Sequence, residues 1–348
     1  MSKPNLQPMQ RAAPLVQLPA LLAELGVEVV AVFDGMGISA SDLRPDAFIP
    51  FAGAQLILDR AATLSGCDDI GLRLGRLRGI AALGPVGEAM RYAGTLGEAL
   101  SDFVAFQLGN SNAAAVYLLR GSDDVALGYG VYEFVGNVSL HVHDLAMAVG
   151  HKVIAGLTLG AVEPVEIWSI RKAPADLTPY RELFNCPIRF GQSQSCLFLS
   201  HDSMDFALPS ANRLEREKAL GALAAYPPLA PWAAADRVRH ALRSLMLRGR
   251  TSMPEVAGHL GLHARSLRRA LLREGTTFDA VKGAVRYAVA RELLALTPLQ
   301  IGDIGMTLDF DSPSAFVRAF RRWSGITPTR WRTWFQSQIE PGAGRLTD

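Results

Sequence analysis

The 348 residues predict an α+β N-terminal domain followed by an all-α C-terminal domain built on two helix-turn-helix units. Three observations predict this. A short pattern occurs twice between Met253 and Arg332. A β-type stretch with a central turn, Ala113 to Phe134, interrupts helical periodicity in the first half. Charge is also split along the chain. Residues 236–335 carry 17 Lys and Arg against 8 Asp and Glu, whereas residues 1–235 carry 17 against 23.

Taken in order, Met1 to Ala13 is polar and proline-bearing and is expected as a disordered tail. Leu15 to Leu25 places Leu18, Leu21, Leu22 and Leu25 on one side of a helix that Gly26 ends. Val27 to Phe33 suits either a strand or a short helix, and Gly35, Gly37, Pro45 and Pro50 mark turns. Phe51 to Ser65 reads as a helix with Leu56, Leu58, Ala61, Ala62 and Leu64 available for burial. Thr95 with Glu98 forms a capping box that opens a helix to about Leu108. Ala115–Arg120 and Val125–Glu133 form a hairpin around Gly121-Ser122-Asp123-Asp124. A long helix over Leu140–Leu159 follows, then a strand over Val165–Arg171 and a short helix over Pro179–Phe184. Short strands are expected at Ile188–Phe190 and Cys196–Leu199. Leu208 to Ala225 is a charged helix that either pairs with its copy in a dimer or packs on its own domain. The prolines of Tyr226–Pro231 stiffen a linker. The boundaries that result are a tail to 13, a domain over 14–225, a linker over 226–235, a second domain over 236–335, and a frayed tail over 336–348.

The second domain opens with a helix over Asp236–Leu247. In its repeat, Val256, Leu260 and Leu262 recur as Ile304, Leu308 and Phe310 at an offset of 48, and clamp each turn from inside. Leu267, Arg269 and Leu271 recur as Phe316, Arg318 and Phe320 at an offset of 49, one residue having entered the second turn. Leu267 and Leu271 share a helix face at i and i+4, and Arg265, Arg268, Arg269 and Arg273 occupy the other. A helix that is apolar behind and arginine-rich in front suits the major groove of DNA. Solvated arginines on two helical hairpins are the plainer reading, and recurrence in register argues against it. Between the copies, Phe278, Val281, Val285, Val289, Leu293 and Leu296 keep helical spacing. A helix of that length spans roughly 28 Å, close to the roughly 34 Å between successive major-groove faces on one side of DNA.

Other chemistries lack their signatures. No run of eighteen apolar residues exists to span a membrane. Cys67, Cys186 and Cys196 are odd in number and lack CxxC spacing, which fits a reducing cytoplasm rather than a disulfide or zinc framework. His141 and His143, two apart, point about 200° apart on a helix and cannot share one ion there, although on a strand they could. No GxSxG, P-loop or HExxH occurs. Asp68 and Asp69 beside Cys67 disfavour its thiolate. No metal or cofactor is expected. All but one of the basic residues in 236–335 are Arg, whose fork matches phosphate and guanine.

The run Phe316-x-Arg318-Ala319-Phe320-Arg321-Arg322-Trp323-x-Gly325-Ile326-Thr327-Pro328-x-x-Trp331-Arg332 closely resembles the signature of AraC-type transcriptional regulators. The resemblance covers Arg237 to Arg332. It departs from the family pattern at His263, where a small N-capping residue is usual, at Gly305 (usually Ala) and at Asp309 (usually Gly). In the first half, Ile70-Gly71-Leu72-x-Leu74-Gly75, Thr95–Leu100 and Tyr180-x-x-x-Phe184-x-Cys186-Pro187-Ile188-x-Phe190 are similar to that family's arabinose-binding-like sensor domain, with Cys186 where Gly is usual. The resemblance implies a cytoplasmic homodimer that binds promoter DNA, answers to a small-molecule effector and works with RNA polymerase, as an activator or a repressor. The arginine face of the first unit puts its DNA contacts at Arg265, Ser266, Arg268, Arg269 and Arg273. In the second unit the resemblance places them at Ser312, Ser314, Ala315, Val317, Arg318, Arg321 and Arg322, with Ser312 also a helix cap. Arg330 and Arg332 are further phosphate candidates. A DNA-repair-type enzyme with an appended helix-turn-helix module is the alternative, and it lacks a cysteine in a basic setting.

Overall fold

The computed structural model describes residues 7–132, 135, 138–225, 232–246 and 249–338, which form two compact units, one over 7–225 and one over 232–338. The expected linker Tyr226–Pro231, Glu133, Phe134 and Leu247 lie outside the described residues.

The N-terminal unit begins with β1 (Met9–Arg11), α1 (Leu18–Glu24), α2 (Val29–Phe33), β2 (Phe48–Pro50), α3 (Phe51–Ser65), α4 (Ile70–Arg76), α5 (Pro85–Arg91) and α6 (Leu96–Phe106). It continues with β3 (Ala114–Arg120), β4 (Asp124–Val131), α7 (Leu140–Thr158), β5 (Glu166–Trp168), α8 (Thr178–Leu183), β6 (Ile188–Arg189), β7 (Ser195–Ser200), α9 (His201–Met204) and α10 (Arg213–Ala225). A sheet of order β3-β4-β7-β5-β6 is antiparallel except where β5 meets β6. The predicted hairpin is β3–β4, with Val116 opposite Tyr129 and Leu118 opposite Leu127.

Several expectations are corrected. The tail expected over 1–13 contains β1, which pairs antiparallel with β2, Gln10 opposite Ile49. Val27–Phe33 resolves as the helix α2. On α3 the buried face is Phe51, Ala54, Ile57, Leu58 and Ala61, while Leu56 and Leu64 are exposed. The Thr95 cap forms, but Glu98 turns to the Gly94 N–H and to Arg216 instead of closing the box. The strand expected over Val165–Arg171 is only three residues long. The charged helix starts at Arg213, not Leu208, and Arg216 holds it to Asp102 and Glu98 of α6 within its own domain.

The first-half glycine motif serves close packing. A Cβ on Gly71 would stand 2.2 Å from the His141 carbonyl oxygen, and one on Gly75 2.4 Å from Ala148 Cβ, so α4 lies directly against α7. On α7 the three histidines go separate ways. His141 Nδ1 meets Arg171, His143 Nδ1 is 2.9 Å from Ser195 Oγ, and His151 Nε2 is 2.9 Å from Glu163. Among the described residues no cluster of three His, Cys, Asp or Glu is placed to hold a metal ion, and no helix is long and apolar enough to cross a membrane.

Burial holds His143 far below its ordinary value of 6.5, at about 4. The sign follows directly. A histidine kept neutral in the fold contributes stability above its unfolded pKa, and that contribution is lost as pH falls toward the folded value. His143→Gln keeps a partner for Ser195 without the titration. The stability advantage of the parent over this variant is therefore expected to shrink by about 3 kcal/mol between pH 7 and pH 4. Urea unfolding of both proteins across that range checks this, and a difference independent of pH would refute it.

Candidate nucleic-acid interface

The C-terminal unit holds α11 (Ala234–Met246), α12 (Met253–His259), α13 (Ala264–Arg273), α14 (Phe278–Leu296), α15 (Ile301–Thr307), α16 (Pro313–Ser324) and α17 (Pro328–Gln338). The helix α17 runs three residues into the tail expected to fray over 336–348, and residues 339–348 lie outside the described residues.

The repeat in the sequence is a repeat in hydrogen bonds. After α12, Leu262 N–H donates to Ala257 O and Leu260 N–H to Val256 O. After α15, Phe310 N–H donates to Gly305 O and Leu308 N–H to Ile304 O. Val256, Ile304 and Leu308 are fully buried and Leu260, Leu262 and Phe310 half-buried, so the clamp is formed with unequal depth. By position in the repeat, each unit pairs a small residue with a larger one. Ala257 and Leu267 hold these positions in the first copy. In the second, a Cβ on Gly305 would come within 3.1 Å of Phe316, so the glycine leaves room for the aromatic ring.

Both second helices turn an apolar stripe inward. Leu267 and Leu271 are buried on α13, and Phe316, Ala319 and Phe320 on α16. Burying the Leu and Phe side chains contributes roughly 1.5–3 kcal/mol each. Behind α16 the rings of Phe310, Phe316, Phe320, Trp323 and Tyr287 stand 5.5–6.2 Å apart from centroid to centroid. The opposite faces carry the candidate contacts. Arg265, Ser266, Arg268, Arg269 and Arg273 are exposed on α13, and Ser314, Arg318, Arg321 and Arg322 on α16. Arg265, Arg268, Arg269, Arg318, Arg321 and Arg322 form no ion pair among the described residues. The stripe Ser314, Arg318, Arg321 follows i, i+4, i+7, as one helix face requires. Ala315 and Val317 are half-buried beside it. Ser312 caps α16, its Oγ accepting from Ala315 N–H at 3.2 Å, whereas His263 at the start of α13 makes no side-chain cap.

Arg332 is engaged within its own unit: its guanidinium donates to the carbonyls of Leu294, Thr297 and Leu299 and closes the C-terminus of α14. Arg330 is exposed.

One assembly is missing from the sequence-based list. Asp309 adopts φ 60, the left-handed conformation that its counterpart Gly261 adopts with φ 67. A side chain there carries a conformational cost that glycine does not. It is offset by a clasp: the Asp309 carboxylate accepts from Lys282 Nζ at 2.7 Å, from Arg286 and from Thr251 Oγ1. Those donors hold its carboxyl below the ordinary value even though burial acts the other way. Arg286 also donates to Leu308 O and lies 4.3 Å over the Phe310 ring. The second turn is thereby tied to α14 and to Thr251, two residues ahead of α12. Lys282 and Arg286, one turn apart on α14, are the signal that would have revealed it.

Both units are similar in sequence to known proteins. Residues 26–208 match the arabinose-binding domain of AraC transcription regulators, N-terminal part, and residues 256–333 match a helix-turn-helix domain family. The HTH-type transcriptional regulator VirS of Mycobacterium tuberculosis is 29% identical over 93% of this chain and 96% of that protein. The ornithine utilization regulator of Pseudomonas aeruginosa is 26% identical over 94% and 98%. The crystal structure of the transcriptional regulator CdpR from Pseudomonas aeruginosa aligns with 92% of this chain and 98% of its own, with 22% identity and a TM-score of 0.46.

Proposed function

The chain belongs to the AraC-type transcription regulators, a DNA-binding family, and from that premise we propose that it binds a specific promoter sequence as a homodimer under the control of a small-molecule effector. The unit over 14–225 is read as the effector-binding and dimerising part, the unit over 236–335 as the reader of DNA, and RNA polymerase as the partner through which it acts as an activator. The observation that carries the reading is the pair of second helices in matching turns, each with a buried apolar stripe and an exposed arginine face. Arg265, Ser266, Arg268, Arg269 and Arg273 are assigned to bases and phosphates in the first copy. Ser314, Ala315, Val317, Arg318, Arg321 and Arg322 are assigned in the second, with Ser312 setting the start of α16.

The enzymatic alternative draws no support from the thiols. Burial pushes Cys67 up to about 11, helped by its hydrogen bond to Asp69, and pushes Cys186 up to about 12.

The test is a gel shift on the promoter region beside the gene. Affinity should fall steeply with salt, since neutralised phosphates release counterions. Arg268→Ala should lower specific binding by about 1–3 kcal/mol if that side chain meets a base edge. Unchanged affinity in the variant removes Arg268 from the reading face, and salt-independent binding removes the DNA reading altogether.

A further inference from the structure

The clasp at Asp309 reaches across the C-terminal unit. Its three donors, Thr251 Oγ1, Lys282 Nζ and Arg286 Nη2, converge on one carboxylate oxygen, Oδ2. Thr251 belongs to the first helix-turn-helix copy. It is 2% exposed and directly precedes Ser252, whose hydroxyl caps α12. Lys282 and Arg286 stand in the first half of α14, whereas the chain leaves that helix after Leu296. To reach them the second turn folds back along α14 by roughly 15–21 Å, at about 1.5 Å per residue. The side chains of Lys282 and Arg286 are only 15% and 18% exposed, so the clasp is more than a solvated surface pair. Tyr287 of α14 also presses on Phe320 and Trp323 of α16, with ring centroids 5.6 and 5.5 Å apart. Apolar burial is non-directional and leaves room for sliding, whereas charge-assisted hydrogen bonds fix direction as well as distance. At the matching position of the first copy, Gly261 has no side chain to offer such a tie.

We infer that Asp309 is a positioning residue for DNA binding: by tying the second turn to Thr251 of the first copy, it holds α13 and α16 at one separation. The protein then accepts one spacing between the two stretches of duplex that these helices meet. Adding one base pair between them moves the farther stretch by about 3.4 Å and turns it by about 35° around the duplex axis. A hydrogen bond to a base edge does not survive a displacement of that size. Without the carboxylate, α14 and the ring contacts still join the two copies, but the direct bond between them is gone. The inference rests on the DNA-binding reading above and adds the residue that sets the spacing.

Two variants of the full-length protein test it. Asp309→Gly removes the carboxylate and suits the left-handed backbone, and Thr251→Val removes only the hydroxyl that joins the two copies. The first measurement uses no DNA. Spin labels on ketone side chains, which spare the native thiols, are placed at the exposed positions Leu272 on α13 and Met306 on α15. Electron-electron resonance should give one narrow distance distribution in the parent, and both variants should broaden it about twofold. The second is a gel shift on the promoter fragment and on fragments one base pair longer or shorter. The change is made between the stretches whose protection Arg268→Ala and Arg318→Ala separately weaken. The parent should lose affinity tenfold or more on the altered fragments, in the range that one misplaced base pair costs. The variants should lose less than threefold. Unbroadened distances in the variants overturn the inference, as does a variant that weakens binding to all three fragments by one common factor. Should either variant fail to fold, the other decides alone. The two readings fail differently: a parent that binds no fragment overturns the DNA reading and this inference with it. A parent that binds, with variants that keep its spacing preference, overturns the inference alone.

Discussion

Arg243→Met is expected to destabilise the C-terminal unit by about 3–5 kcal/mol, the cost of leaving one partner of a buried ion pair uncompensated. Arg243 on α11 donates through Nη2 to both carboxylate oxygens of Glu292 on α14, at 2.6 and 2.5 Å, and both side chains are 9% exposed. With arginine gone, the Glu292 carboxylate has lost its water and its countercharge together. Replacing both partners, Arg243→Met with Glu292→Leu, should recover most of the loss, because apolar side chains of similar volume need no compensation there. Urea unfolding followed by tryptophan fluorescence measures all three proteins. A single variant within about 1 kcal/mol of the parent would mean that water reaches this pair, contrary to the burial described.

Arg171→Met should cost the N-terminal unit a similar amount, and here the loss should depend on pH. Arg171 reaches Asp144 through Nε at 2.9 Å, Asp68 through Nη1 at 2.8 Å, and His141 through Nη2 at 3.2 Å. Tyr180 donates its hydroxyl to the same Asp144 oxygen at 3.1 Å. Burial raises the Asp144 carboxyl to about 6 even against the attraction of Arg171. A carboxyl with a raised folded pKa contributes most to stability below its unfolded value, and that contribution is lost as pH rises through the folded one. Without the arginine the folded pKa should climb further. The variant should therefore lose about 3–5 kcal/mol near pH 8 and distinctly less near pH 5, where protonation removes the buried charge. Thermal unfolding at the two pH values decides it, and a loss equal at both would place the damage elsewhere than Asp144.

Legibility in the sequence tracked the distance over which each feature is determined. Phe278–Leu296 was readable from first residue to last, because its apolar spacing is local and Thr277 caps it, accepting from Ala280 N–H. The arginine faces of α13 and α16 were readable for the same reason: helical periodicity alone separates them from Leu267 and Phe316. The pairing of β1 with β2 was not, since two three-residue strands far apart in sequence carry no alternation of their own. On α3, Leu58 and Ala61 are buried as read, but Leu56 and Leu64 are exposed, because the rest of the buried face is made by Phe51, Ala54 and Ile57. Arg332 carries the same charge as its neighbours and differs only in lying beside the open carbonyls of α14.

Asp309 also bears on how this repeat can diverge. Gly261 keeps the first turn free of side-chain commitments, whereas the carboxylate at 309 answers to Thr251, Lys282 and Arg286 at once. The duplicated motif has thus lost its modularity at one position, and inheritance of a new sequence preference in either half is constrained by the other.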